Sequence, residues 1–165
     1  MVYIGITGSG EYKDKEFLLL VLERKVDKEK DIIVSGHSPR NPIYRNGRII
    51  RYENTDHWSK QWSISNCKNK PVIFRAIYDT EEYYFKRNGK IANLSNELYA
   101  FIPSGKYKSG SWNTVRQFAY KDNFEWKNLR IWNEYRELLK FDEYPNWLKK
   151  RIIHIKRMKR QKEMF

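Results

Sequence analysis

The chain opens on an apolar strand that runs directly into glycine, and repeats that arrangement a short way on. Val2 to Ile6 reads as a strand ending in Thr7-Gly8-Ser9-Gly10. A helix pattern follows from Asp14 to about Val26, with Phe17, Leu18, Val21 and Leu22 on one face and Asp14 placed to cap it. Ile32-Ile33-Val34 then ends in Ser35-Gly36-His37-Ser38-Pro39-Arg40. Strand, glycine turn, helix, strand, glycine turn is how a parallel sheet with right-handed crossovers begins. The expected architecture is therefore α/β: a Rossmann-like three-layer fold with a mostly parallel central sheet, over residues 1–132.

The stretch that follows departs from a simple alternation. Ile43-Tyr44 and Ile49-Ile50 flank Arg45-Asn46-Gly47-Arg48, and Asn-Gly between apolar pairs predicts a hairpin inserted at about 41–53. Asn54-Thr55-Asp56 reads as the cap of a helix reaching about Cys67, with Trp58 and Trp62 on its buried side. Further strands are expected at Pro71–Phe74, Leu98–Ile102 and Leu129–Trp132, and helices at Thr80–Leu94 and Ser111–Tyr120. In the first of these helices Tyr84, Ile91 and Leu94 form the expected apolar stack, weakened midway by Asn88-Gly89. A short helix is expected over Glu134–Phe141. Pro145 then sets off a last, basic helix, so residues 133–165 form a C-terminal helical extension.

Composition narrows the class. Aromatic residues make up 16% of a chain that is 40% hydrophobic, which suits a folded domain rather than a disordered one. One cysteine, Cys67, excludes an internal disulfide framework, and no apolar run is long enough for a signal peptide or a spanning helix. A cytoplasmic protein is expected. The net charge of +13 is concentrated: residues 146–165 hold eight Lys or Arg against Glu163 alone, contributing +7. Three His and one Cys, scattered along the chain, give no metal-ligand spacing, so neither metal nor cofactor is expected.

Four ordered segments together resemble the SLOG superfamily (Smf/DprA and LOG proteins), particularly its small YspA-like branch. They are Ile4-Gly5-Ile6-Thr7-Gly8-Ser9-Gly10; Ile33-Val34-Ser35-Gly36-His37-Ser38-Pro39-Arg40; Tyr84-Phe85-Lys86-Arg87-Asn88-Gly89-Lys90-Ile91-Ala92; and Ala100-Phe101-Ile102 with Ser109-Gly110-Ser111-Trp112-Asn113-Thr114-Val115-Arg116. The resemblance implies a Rossmann-like domain whose loops bind a nucleotide or nucleotide-derived molecule. Two departures stand out. Gly10 occupies the place of the family's first-turn arginine, and the hairpin replaces its paired glycines ahead of the helix that here starts near Asp56.

The candidate site residues follow from these segments. Thr7, Gly8, Ser9 and Gly10 let the backbone approach an anion ahead of a helix N-terminus; a plain tight turn would favour the same glycines. Ser109, Gly110, Ser111, Trp112, Asn113 and Thr114 offer hydroxyls and amides at another helix start, where an N-cap alone would also favour Ser or Asn. The resemblance implies that the two loops face each other across the strand ends. Gly36, His37 and Ser38 would flank the base or sugar, with Ser35 and Arg40 in the same turn; His37 could contact base or phosphate or act as an acid or base, against a solvated loop histidine. Asp56 stands between a helix cap and a ribose ligand, and Arg87 and Asn88 between ligand contacts and pairing with Glu81 or Glu82.

Three functions remain in contention. Binding of a nucleotide or nucleotide-derived ligand, as a sensor or regulatory module, leads. A nucleoside-phosphate hydrolase is the second; Thr114 falls where the LOG enzymes carry their glutamate, so no catalytic residue is assigned and only relocated chemistry, for instance at His37, would revive it. Nucleic-acid binding through the basic segment 146–165 is the third, against a helix docked on its own domain or on a second subunit, or lying on a membrane surface. The aromatic surface and the family's habits also suggest a homodimer.

Overall fold

A computed structural model describes all residues, Met1–Phe165. Five parallel strands form the central sheet: β1 (Tyr3–Gly8), β2 (Ile32–Gly36), β5 (Val72–Phe74), β6 (Glu97–Phe101) and β7 (Leu129–Trp132), in the order β5-β2-β1-β6-β7. The fold is a Rossmann-like three-layer α/β arrangement. Order reverses at β1, which pairs with β2 from Tyr3↔Ile32 and with β6 from Ile4↔Glu97 to Gly8↔Phe101. The crevice of such a sheet lies outside the strand C-termini at this reversal.

Alternation along the strands builds two cores. Ile4 and Ile6 of β1, Ile33 of β2, and Tyr99 and Phe101 of β6 face α1 (Lys15–Lys25) and α2 (Thr55–Asn66), whose Leu18, Leu22, Trp58 and Trp62 pack against them. Leu98 and Ala100, the alternate residues of β6, face α4 (Gly110–Ala119) and α5 (Asn146–Glu163) on the opposite side. Each large apolar side chain so buried contributes roughly 1.5–3 kcal/mol relative to exposure.

Local chemistry sets the ends of the first two helices. The Asp14 carboxylate accepts the Phe17 N–H at 3.1 Å, and Asn54 Oδ1 accepts the His57 N–H at 3.0 Å. The inserted hairpin forms as β3 (Pro42–Arg45) and β4 (Arg48–Tyr52), a separate two-stranded sheet. Asn46 and Gly47 take φ of 51° and 72°, the left-handed pair that a tight antiparallel reversal needs. Asn41 fastens its base, donating to Gly10 O at 3.0 Å and Glu53 O at 3.1 Å.

Two expectations are corrected. The helix α3 (Glu81–Leu94) runs through Asn88-Gly89 without interruption, and its buried side is Asn88, Gly89, Ile91 and Ala92 rather than Tyr84 or Leu94. Gly89 leaves room for the Gln117 side chain of α4, so the two helices approach closely where the sequence read a weak point. No helix forms over Glu134–Phe141. Asn133 Oδ1 instead accepts the N–H groups of Tyr135 (2.9 Å) and Glu137 (3.0 Å), and Arg136 takes φ of 64°. That side chain outcompetes helical carbonyls for the same donors, and only a single 3₁₀ turn, Phe141–Glu143, remains.

The basic C-terminal helix is present as α5. Its first half belongs to the main core: Leu148 and Ile152 are buried among residues of α4, β6 and β7. Arg151 ties it down, donating to Ala119 O at 2.8 Å and Lys121 O at 3.1 Å. No helix is long and apolar enough to cross a membrane.

Candidate functional site

A cavity of about 740 Å³ opens at the C-terminal edge of the sheet, in the crevice that the strand order predicts. The turn after β1 (Thr7 to Gly10), the turn after β2 (Ser38 to Arg40) and the starts of α2, α3 and α4 form its walls, and Trp147 of α5 adds a further side.

Its floor is packed backbone to side chain. A Cβ on Gly8 would run into the Thr55 methyl and hydroxyl, so only glycine lets the first turn sit against the start of α2. A Cβ on Gly36 would lie 2.9 Å from Asp56 Oδ2 and 3.0 Å from Arg87 Cζ, so the second turn is equally close to its neighbours. Asn54, besides capping α2, donates to Ser38 O at 3.1 Å and Arg40 O at 2.8 Å, which fixes the course of that turn.

The helix starts differ in how they are finished. Asp14 and Asn54 cap their helices with side-chain oxygens, whereas Thr80 of α3 and Ser109 of α4 make no such bond although both are capping residue types. Both line the cavity. The Ser109 hydroxyl is enclosed without any partner, as is the indole N–H of Trp112, a residue only 4% exposed. Buried polar groups are nearly always satisfied. Both orphans stand at the start of α4, the positive end of that helix's dipole, and the Trp112 backbone N–H is bonded to Ser109 O at 3.1 Å.

Charge is divided across the cavity. Arg40, Lys108 and Arg116 stand on the side of the first turn and α4, and Asp79 and Glu81 at the start of α3. Arg40 lies across the first turn: a Cβ on Gly10 would be 2.8 Å from Arg40 Cδ and 3.1 Å from its Nη1. An arginine thus covers the position where the sequence shows glycine, delivered from the second turn rather than the first. Tyr84 donates its hydroxyl proton to Asp79 at 2.7 Å, and that bond holds its phenol above the usual tyrosine range. Arg87 stacks its guanidinium over the Tyr84 ring at 5.1 Å.

Asp56 and Arg87 meet beneath these groups. Arg87 Nη1 is 3.9 Å from Asp56 Oδ2, with both side chains almost fully enclosed, and donates to His37 O at 3.0 Å. The sequence left Arg87 between ligand contact and pairing with Glu81 or Glu82; its carboxylate partner is Asp56. Burial raises the Asp56 pKa above the ordinary carboxyl range, against the opposing pull of Arg87 and the Ser35 hydroxyl 3.4 Å away. Asn88 is also buried, donating to Gly110 O and to Asn113 Oδ1, each at 3.2 Å, and so braces the start of α4.

Most of the residues singled out from the sequence come together here. Those of the first turn, Ser38, Arg40, Asp56, Arg87, Asn88 and Ser109 through Asn113 all line the cavity. Four do not. Ser35 is fully buried under Asp56, and Gly36 lies beneath Asp56 and Arg87. Thr114 is buried as well, its hydroxyl bonded to Gly110 O at 3.3 Å and paired with Thr7 at 3.5 Å, linking the two loops. His37 sets its ring edge-on to Tyr52 of the hairpin, 5.4 Å between centroids. Burial, helped by Arg75, Lys60, His57 and Arg87, pulls its imidazole below the usual histidine range.

Several lining residues escaped the sequence reading. The start of α3 (Asp79, Thr80, Glu81) follows from topology alone, since every helix returning from a parallel strand starts at this edge. Arg116 shares the first two turns of α4 with Trp112 and Asn113. Trp147 carries no local signal, because only the docking of α5 brings it here. It stands edge-on to Trp112 at 6.2 Å, and Arg116 lies over its ring at 5.6 Å. No group of three or more His, Cys, Asp or Glu side chains is placed so that it could hold a metal ion.

Comparison with protein-family models, with curated proteins and with solved structures gives no match.

Proposed function

We propose that the protein binds a nucleotide or nucleotide-derived ligand in this cavity, as a sensor or regulatory module of the SLOG type. The observation that carries the reading is the start of α4. A serine in capping position that caps nothing and an indole N–H without an acceptor belong to neighbouring residues of one cavity wall, at the positive end of a helix. A phosphoryl group is an acceptor that would answer both, and it suits the helix dipole. Arg40 over Gly10, and Lys108 and Arg116 beside the same helix, supply countercharge. The remaining volume, walled by Tyr84, Tyr107 and Trp147, suits a base or sugar; the total lies within the range of small-molecule sites.

Calorimetric titration with a panel of nucleoside mono- and diphosphates, cyclic nucleotides and nucleotide-sugars tests this directly. At least one phosphate-bearing member should give heat that its parent nucleoside does not. Ser109→Ala should weaken that binding by about tenfold or more, the loss of one hydrogen bond to a charged group at about 1.5–3 kcal/mol. Heat from none of the panel would remove the proposal. Monitoring the same mixtures for free base separates binding from N-glycosidic cleavage.

A further inference from the structure

The far half of α5 has no role in the core or in the cavity. From Lys156 to the end every residue is exposed, while Leu148 and Ile152 of the first half are buried. Twelve ion pairs occur across the protein, yet none involves any of the eight basic residues of α5. Lys156 lies over the Trp126 ring at 4.5 Å and Lys159 shares a small pocket with Glu125, while Arg157, Arg160 and Lys162 have neither an ion pair nor an aromatic partner; Glu163 is the one acid in this stretch. Lys156–Lys159, Lys156–Arg160, Arg157–Arg160 and Lys159–Lys162 are like-charged neighbours at i,i+3 or i,i+4 spacing, each destabilising by a few tenths of a kcal/mol. A helix so arranged gains stability from an external polyanion.

We infer that the exposed half of α5 docks on the sugar-phosphate backbone of nucleic acid. The alternatives differ in what they ask of the helix. A helix lying on an anionic membrane needs a broad apolar face. At 3.6 residues per turn the five basic side chains span about 220° of the circumference, and only Met158 and Gln161 fill the rest of these two turns. Such a distribution meets a groove or strand of phosphates, whose linear charge density rewards each neutralised contact by counterion release. Binding of this kind is independent of base sequence, and it does not depend on what the cavity holds.

The test uses the full chain and a fluorescently labelled 20-nucleotide strand, alone and as a duplex, read by anisotropy at several salt concentrations. Wild-type protein should bind both forms, with log affinity falling against log salt at a slope of about −3 or steeper. Replacing all five residues by glutamine should weaken binding at low salt at least tenfold and flatten the slope; circular dichroism checks that helix content is kept. Exchanging the three lysines for arginine, which keeps the charge, should leave binding intact. Equal affinity of the glutamine variant overturns the proposal. So does a wild-type protein that ignores oligonucleotides while pelleting with phosphatidylserine vesicles.

Discussion

Arg87 reaches from the middle of α3 to within 3.9 Å of Asp56 in the first turn of α2 and donates to His37 O, so that one guanidinium ties α3 to the second turn and to the start of α2. Removing either partner strands the other. Arg87→Met should cost about 3 kcal/mol in urea unfolding, the usual effect of breaking an enclosed ion pair. The double variant with Asp56→Asn should recover part of that loss. A cost equal to the sum of the single substitutions would show that the two groups do not interact.

The same carboxyl gives stability a pH dependence of defined sign. Asp56 has a folded pKa above its unfolded value, so the unfolded chain loses this proton first as pH rises. Its contribution is complete below the unfolded value of about 4 and declines as pH rises through the folded value. Asp56→Asn should abolish that decline, leaving the variant relatively more stable at pH 8 than at pH 4. Urea midpoints across this range measure it.

Asp14 carries the opposite sign. Its carboxylate receives the Arg136 guanidinium at 2.7 Å and the Phe17 N–H, which together hold its pKa below the ordinary range. The stabilisation is present above the unfolded pKa of about 4 and is lost as pH falls through the lower folded value. Asp14→Ala should cost about 1–2 kcal/mol at pH 7, chiefly as a lost helix cap. The penalty should shrink towards pH 2 in an acid-unfolding series.

Asn54 both caps α2 and holds Ser38 and Arg40 in place. Asn54→Ala should lower stability by about 1–2 kcal/mol and, by releasing Arg40 from Gly10, weaken ligand binding more than Asp14→Ala does. Comparing both variants in the same titration distinguishes a positioning effect from a general loss of stability.

Truncation should expose the two halves of α5. A chain ending at Ile155 keeps Leu148 and Ile152 in the core and should melt within a few degrees of the full-length protein. A chain ending at Pro145 loses both, together with Trp147, and should be destabilised by several kcal/mol. Thermal melts of the two truncated chains check this.

Features set by neighbours in sequence were legible beforehand. The Asp14 and Asn54 caps, the Asn46-Gly47 reversal and the strand-to-glycine transitions each depend on a handful of adjacent residues, and they stand where the chain suggested. What was not legible depends on distant pairs. Nothing around Gly10 announces that Arg40 lies over it, nothing near Trp147 points to Trp112, and Arg87 has acids closer in sequence than Asp56. The helix expected after Trp132 failed for a local reason instead: the Asn133 side chain, two and four residues from its partners, captured the first donors.

The position of β1 between β2 and β6 has a kinetic consequence. Its partner on one side, β6, begins 93 residues further along, at the pairing of Ile4 with Glu97. Loop closure over such a length delays the centre of the sheet, a hallmark of slowly folding topologies. The turn after β1 precedes β6 and α4 in the chain, so it gains the wall opposite it only when they arrive. Throughout that interval the chain exposes the apolar residues of β1 with one edge unpaired, and the crevice has both its walls only in chains that have passed this last step.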